Sequence, residues 1–559
     1  MGGRRSPGFA TPRGTKAWRR LFGGALIAAA SGCAVPALAA GSCEDLRSLQ
    51  LPHMTVKSAS RIAQDGFRPP ASEGKESTAL TGPAFCRVEV EAAPTPDSQI
   101  GLEVWVPEGA AWNGKLLGVG NGGYSSVLDY KEMAAALRRG YAAVATDDGH
   151  QGEDLRFVIG HPDRIADWSD RSIHVMTDAA KLIVRDLNGR LPERSYFKGC
   201  STGGFQAMAE SQRYPADYDG IIAGAPGYAR TNLSASFLWA WIVNHDAEGK
   251  EILTRPKLPL INKAVVAACD ELDGVKDGLI GDPGQCHFDP ATLLCQNGDA
   301  DDCLTSAQVD VVRKVYAGPH DPKTGRSIFP GWDPGSEAPG GDAKNGWTSY
   351  IVGQPEPVRL ELWKHWVFAD PNFDWHSFDF DRDLEFANKL LPTMNATQAD
   401  LTPFEKRGGK LLMYFGLADK VSSARTGIDY YNSVLDAMDG HQRVDPFYRL
   451  FLMPGVGHCE GGPGPDSFDA LGTLESWVEH GKAPDRIVAS HRTDGAVDRT
   501  RPLCPYPSVA RYSGTGDTND AGNFRCVADP QQQHGDRSWL TQVQDWDAQA
   551  RATASASRN

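Results

Sequence analysis

The chain has 559 residues and 11 cysteines, yet no C-x-x-C pair and no close cysteine–histidine cluster with metal-ligand spacing. Metal–thiolate chemistry is therefore disfavoured. No internal repeat is visible, which argues against a solenoid or propeller. Positive charge is in short supply, with 57 Lys and Arg against 71 Asp and Glu and a formal net charge of −14. No basic patch stands out beyond the N-terminus, so neither a nucleic-acid partner nor an anionic membrane surface is expected. Long apolar runs are missing apart from Leu21–Ala30, and there is no long amphipathic helix of the kind that opens at a lipid interface. What is present is soluble globular composition, 41% hydrophobic and 23% charged. The length suffices for a large core and more than one structural unit.

Residues 1–40 read as an export signal that processing removes. Arg4, Arg5, Arg13, Lys16, Arg19 and Arg20 precede the apolar run, and Ala37-Leu38-Ala39 offers a cleavage site. Arg19-Arg20-Leu21-Phe22 resembles a twin-arginine signal. The expected destination is the periplasm or the extracellular space, with no membrane span after processing. Ala30-Ser31-Gly32-Cys33 is an imperfect lipobox, so a lipid anchor at Cys33 is the alternative. Removal of the signal leaves Cys43, Cys86, Cys200, Cys269, Cys286, Cys295, Cys303, Cys459, Cys504 and Cys526. An even number in an exported chain reads as disulfides. Cys269–Cys286, Cys295–Cys303 and Cys504–Cys526 would close short loops, which leaves two long-range pairs, one of them involving Cys200.

The chain is organised around Gly199-Cys200-Ser201-Thr202-Gly203-Gly204, which fits the G-x-S-x-G pattern of a nucleophile elbow. Strands are expected at Cys86–Val90, Ile100–Val106, Lys115–Val119, Tyr141–Thr146, Ser195–Lys198, Tyr218–Ala225, Lys410–Phe415 and Tyr448–Met453. Helices are expected at Ser172–Leu187, Phe205–Arg213 and Ala470–His480. Alternating strand and helix implies an α/β fold with a parallel-type sheet covered on both faces. The alternation stops after Pro226. From Gly227 to Asp400 the chain is rich in Trp, Gly, Pro and Asp, carries four cysteines and shows no steady period. That stretch is too long for a loop, so a second domain (227–400) is inserted between two halves of the core (41–226 and 401–559).

Ser201, Asp419 and His458 each follow an expected strand, in the chain order serine, aspartate, histidine. Loops at the carboxyl ends of parallel strands converge on one sheet edge. There His458 would take the proton of the Ser201 hydroxyl, and Asp419 would orient the imidazole. Cys200 precedes the serine and Cys459 follows the histidine, so a disulfide between them would staple the two loops. This Cys-Ser…Asp…His-Cys arrangement resembles the tannase and feruloyl esterase family of α/β-hydrolases. The likeness extends to Tyr214-Pro215 with Asp219-Gly220, Gly416-x-x-Asp419, Gly457-His458-Cys459 and Arg501-Pro502-Leu503-Cys504-Pro505-Tyr506-Pro507.

The resemblance implies an α/β-hydrolase core with the insertion as a lid domain over the active site. It implies the pairs Cys43–Cys86, Cys200–Cys459, Cys269–Cys286, Cys295–Cys303 and Cys504–Cys526. In this fold the oxyanion hole takes one N–H from Thr202 and a second from the Gly120–Gly123 loop, expected at Gly122 with Gly123 next. Asp270, Asp273 and Asp277, bent by Gly274 and Gly278, can surround a hard cation with oxygen. The resemblance makes this a structural Ca2+ loop in the lid, with carbonyl ligands from Val275 and Leu279. It further implies a serine esterase for small aromatic ester substrates: galloyl esters, hydroxycinnamoyl or feruloyl esters, or the monoester of terephthalate and ethylene glycol. Trp347, Trp363, Trp366 and Phe368 are candidates to stack on the ring, and Arg359 to meet a substrate carboxylate. A reading of another class is a polyphenol-binding protein that needs calcium and has lost activity.

Overall fold

The computed structural model describes residues 41–70, 77–124, 127–529 and 535–556; the expected signal at 1–40, with its twin-arginine and Cys33 features, lies outside them. One sheet of nine strands dominates. The strands are β1 (Met54–Ile62), β2 (Phe85–Ala92), β3 (Ile100–Pro107), β4 (Lys115–Val119), β5 (Ala142–Thr146), β6 (Arg194–Cys200), β7 (Gly220–Gly224), β8 (Lys410–Gly416) and β9 (Tyr448–Met453). Their order across the sheet is β1-β2-β3-β5-β4-β6-β7-β8-β9. From β5 to β9 every neighbouring pair is parallel. β1, β2 and β3 are antiparallel, and β3 joins the rest by an antiparallel pairing with β5.

The pleat sorts each parallel strand into two cores. Leu116, Val144, Phe197, Ile221, Leu411 and Met413 point to one face, where they meet Ile173, Met176, Ile183, Phe205 and Met208 of helices Ser172–Asn188 and Thr202–Arg213. Their sequence neighbours Leu117, Ala143, Tyr196, Ile222 and Leu412 point to the other face, against Met133, Leu137, Leu471, Leu474 and Trp477 of helices Tyr130–Arg138 and Ala470–His480. With both faces covered, β5 and β7 are buried along their whole length, which is why they read as continuous apolar runs.

The chain leaves the sheet after Gly224 and returns at Lys410, whose strand pairs directly with β7. The intervening segment holds helices Arg230–Val243, Leu258–Cys269, Ser306–Ala317 and Arg382–Leu390. No period was visible there, and the first of these helices explains why. It is buried on nearly every side, so it carries no polar stripe to set a 3.6-residue rhythm. Two antiparallel pairs (Ile487–Thr493 with Ala496–Leu503, Ser508–Tyr512 with Phe524–Ala528) and a terminal helix, Ser538–Ala556, were also not anticipated. All five expected disulfides are formed. Five disulfides fit an exported protein. No helix among the described residues is long and apolar enough to cross a membrane.

The terminal helix is fastened by a buried acid. Asp429 accepts a hydrogen bond of 2.9 Å from Trp539 Nε1, and burial pushes its pKa up to about 7. Its folded pKa lies above the unfolded value, so the folded state holds the extra proton and stability falls as pH rises from about 4 to 7. Relative to wild type, D429N should unfold at a higher temperature at pH 8 and at a similar one at pH 4. Melting curves at the two pH values check this, and a constant difference would contradict it.

Candidate active site

β6 ends at Cys200 and the next helix starts at Thr202, so Ser201 alone makes the turn, at φ 61° and ψ −114°. Such a backbone costs about 1–3 kcal/mol and persists only where its surroundings impose it. Here they do. A Cβ on Gly199 would lie 2.4 Å from the Gly203 carbonyl carbon, and one on Gly204 would lie 2.2 Å from Gly224 O. The glycines allow strand and helix to close onto each other. Ser201 N then donates to Gly224 O at 3.0 Å, Gly203 N to Asn121 O at 2.7 Å and Phe205 N to Ser201 O at 3.0 Å. The side chain is left at the carboxyl edge of the sheet, next to the positive end of helix 202–213.

Asp419 follows β8 and His458 follows β9. Oδ1 of Asp419 accepts the N–H groups of Val421 (2.7 Å) and Ser422 (3.1 Å), which leaves Oδ2 for His458 Nδ1 at 2.8 Å. The Asp419 side chain is fully buried. With Nδ1 engaged as donor, Nε2 is the basic nitrogen. Nε2 is buried with no hydrogen-bond partner, and His458 and Ser201 line the same pocket. Ser201 and His458 are thus not hydrogen-bonded to each other in this structure, and such contacts often tighten only when a reacting group is bound. Cys200 and Cys459, the immediate neighbours of Ser201 and His458, are joined by a disulfide with a Cα–Cα distance of 6.0 Å.

Thr202 and Gly123 also line the pocket, whereas Gly122 is exposed and outside its wall. Of the two glycines considered for the second oxyanion donor, Gly123 is the one that the structure sets beside the serine. The Thr202 hydroxyl donates to Gly123 O and accepts from Arg230 Nη1 at 3.1 Å. The wall also includes Tyr124, Leu233, Phe237, Tyr350 and Arg359. The stretch between β7 and β8 thus contributes Arg230, Leu233, Phe237, Tyr350 and Arg359 to the pocket.

The four aromatic candidates lie elsewhere. Trp347 and Trp363 are completely buried, and Trp347 Nε1 donates to Ser336 Oγ at 3.0 Å. Trp366 backs the pocket from behind: its Nε1 donates to Leu155 O at 2.9 Å while its ring meets Tyr124 edge-on at 5.7 Å. Phe368 stacks on Phe373 at 4.1 Å. These residues fill cores, a role that composition does not distinguish from a pocket. Tyr124, Phe237, Tyr350 and Arg230 were missed. Arg230 had a signal, being the one charged residue of the apolar helix Arg230–Val243.

In the acidic loop, Asp270 accepts the N–H groups of Asp277 (3.1 Å) and Gly278 (3.0 Å), Asp273 that of Val275 (3.1 Å) and Asp277 that of Leu279 (3.1 Å). Asp277 also pairs with Arg501. Burial pushes the Asp273 carboxyl up to about 7 and lifts Asp277 as well. Their oxygens are not gathered into one tight group. Among the described residues, His174, Asp178 and Asp217 are the only trio so gathered.

A family model described as tannase and feruloyl esterase matches residues 86–527. An uncharacterized esterase of Xanthomonas campestris is 37% identical over 90% of this chain and 94% of its own. A mono(2-hydroxyethyl) terephthalate hydrolase of Piscinibacter sakaiensis is 36% identical over 75% of this chain and 80% of its own. Among solved structures, feruloyl esterase B from Aspergillus oryzae superposes with a TM-score of 0.81 at 29% identity, covering 87% of this chain and 99% of that one.

Cutting the tether tests the geometry. The double variant C200A/C459A should lose at least about tenfold in hydrolysis of an activated aryl ester while the other four disulfides keep the fold, because small misplacements of reacting groups cost that much. Unchanged turnover would show that the two loops hold their register without it.

Proposed function

Since the chain belongs to the tannase and feruloyl esterase family, and is therefore a carboxylic ester hydrolase acting on aromatic esters, we propose that Ser201 is its nucleophile, with Asp419 and His458 as partners. His458 Nε2 takes the hydroxyl proton as Ser201 Oγ attacks the ester carbonyl. Asp419 stabilises the imidazolium that forms. The N–H groups of Thr202 and of Gly123 receive the oxyanion. His458 then protonates the leaving alcohol, and water, activated by the same imidazole, releases the acid from the serine. The observation that carries this reading is the Asp419–His458 hydrogen bond, on a loop stapled to the Ser201 turn.

The acyl group is a galloyl or hydroxycinnamoyl acid in the first reading, its ring lying among Tyr124, Leu233, Phe237 and Tyr350. A second reading is a monoester of terephthalate, supported by Arg359. This arginine reaches the pocket from a strained backbone at φ 67°, and its nearest acid is the exposed Glu153 at 3.7 Å. A guanidinium so placed suits a carboxylate.

We further propose export to the periplasm or beyond, a lid role for the inserted segment, and a structural calcium ion in the acidic loop. The donor chemistry fits: Asp270, Asp273 and Asp277 are hard oxygen ligands on one short turn, and an ion would offset the burial that now opposes the charge of Asp273 and Asp277. The carbonyls of Val275 and Leu279 would complete the set.

S201A should lower hydrolysis of p-nitrophenyl acetate by about 10⁴-fold or more; equal rates in variant and wild type would remove the reading. Methyl gallate, methyl ferulate, chlorogenate and mono(2-hydroxyethyl) terephthalate, run side by side, decide the acyl group. If calcium is held, EGTA should lower the melting temperature and added calcium should restore it, whereas an unchanged value would count against the ion.

A further inference from the structure

Arg230 opens helix Arg230–Val243 and is only 6% exposed, on the wall of the pocket that contains Ser201. No carboxylate pairs with it among the described residues. Burial without an anion is costly for a charged group, and it lowers the pKa of this guanidinium. Arg359 adds a second cation nearby, 4.7 Å above the same Tyr124 ring that Arg230 approaches at 4.9 Å. The surroundings offset this only partly. Trp168 at 4.8 Å and Phe205 at 5.6 Å offer ring faces, and two oxygens accept hydrogen bonds.

Those two oxygens are the informative part. Arg230 donates to Thr202 Oγ1 at 3.1 Å and to Gly123 O at 3.5 Å, and the Thr202 hydroxyl in turn donates to Gly123 O. A closed triangle therefore ties the loop after β4 to the first turn of helix 202–213. These are the segments that carry the two proposed oxyanion donors. The loop is anchored as far as Asn121, whose carbonyl accepts from Gly203 N at 2.7 Å. Beyond it Gly122 and Gly123 are adjacent and Gly123 takes a positive φ of 62°, so this last part gains most from a further tie. An unneutralised cation just behind the hole also favours negative charge developing there, more strongly than it would in water.

Resting on the reading of Ser201 as nucleophile, we propose that Arg230 is a positioning residue for ester hydrolysis. It locks Gly123 onto Thr202 and keeps the oxyanion donors aimed and positively biased. The role is expressed in turnover and does not depend on the charge of the substrate.

The experiment measures kcat and KM of wild type, R230K, R230M, T202V and R230M/T202V. The substrates are neutral methyl ferulate and anionic mono(2-hydroxyethyl) terephthalate. R230M should lower kcat by about 10- to 100-fold, less than loss of a direct donor, with KM nearly unchanged and with equal effect on both esters. R230K should recover part of the loss. T202V, which keeps its N–H but breaks the triangle, should also lower kcat, and the double variant should be little worse than R230M alone because the two residues act as one unit. Wild-type kcat in R230M would overturn the proposal, as would additive losses. A defect confined to the KM of the anionic ester would overturn it too, by making Arg230 a carboxylate subsite instead. Should R230M fail to fold, R230K and T202V carry the same comparison. S201A run in parallel separates the two levels: a dead S201A beside a fully active R230M sinks only the role of Arg230, while an active S201A sinks the reading beneath it.

Discussion

The disulfide between Cys200 and Cys459 is the constraint on which the site depends. Ser201 stands at the end of β6 and His458 at the end of β9, with β7 and β8 between them. Three strand spacings amount to about 14 Å, far more than a hydrogen bond can bridge. The loops must therefore arch over the sheet edge toward each other. The bridge holds their backbones 6.0 Å apart at the residues adjoining the serine and the histidine. Asp419, at the end of β8, fixes the ring from the other side. A serine turn at a disfavoured φ and a histidine ring with one free nitrogen are thus held by separate means and meet at one pocket.

Much of the core could be read before the structure. β4 and β9 begin and end where the apolar runs do, because turn residues bound each of them. Helix Ala470–His480 likewise matches its expected bounds. The order Ser201, Asp419, His458 was legible because each residue lies just past a buried strand. The wall of the pocket was not. Trp347 and Trp363 in a core and Tyr350 at the wall of the Ser201 pocket belong to the same apolar, aromatic class, and only tertiary packing separates them. Helix Arg230–Val243 hid for a related reason, since a segment buried all round has no amphipathic rhythm. Its lone arginine was the exception to that rhythm. Gly122 and Gly123 are equivalent in sequence, and their different exposure follows from contacts made by Thr202.

Division of labour between sheet and insertion follows from this geometry. The sheet edge supplies the serine, the aspartate, the histidine and the backbone amides, all on short loops anchored in strands. The segment between β7 and β8 supplies Leu233, Phe237, Tyr350 and Arg359, which line the Ser201 pocket from outside the sheet. On the proposed reading, chemistry and selectivity would vary independently, because changing the second group leaves the first in place. Arg230 belongs to both: it sits on the inserted helix yet is bonded to Thr202 and Gly123.

The most direct test of the account is to find where a covalent intermediate forms. The folded, oxidised protein is treated with a serine-directed aryl phosphonate, and the modified peptide is mapped by mass spectrometry. The account predicts a single adduct, on Ser201, with labelling that slows sharply once Cys200 and Cys459 are reduced. An adduct on another residue, or labelling of Ser201 at the same rate without the bridge, would contradict it.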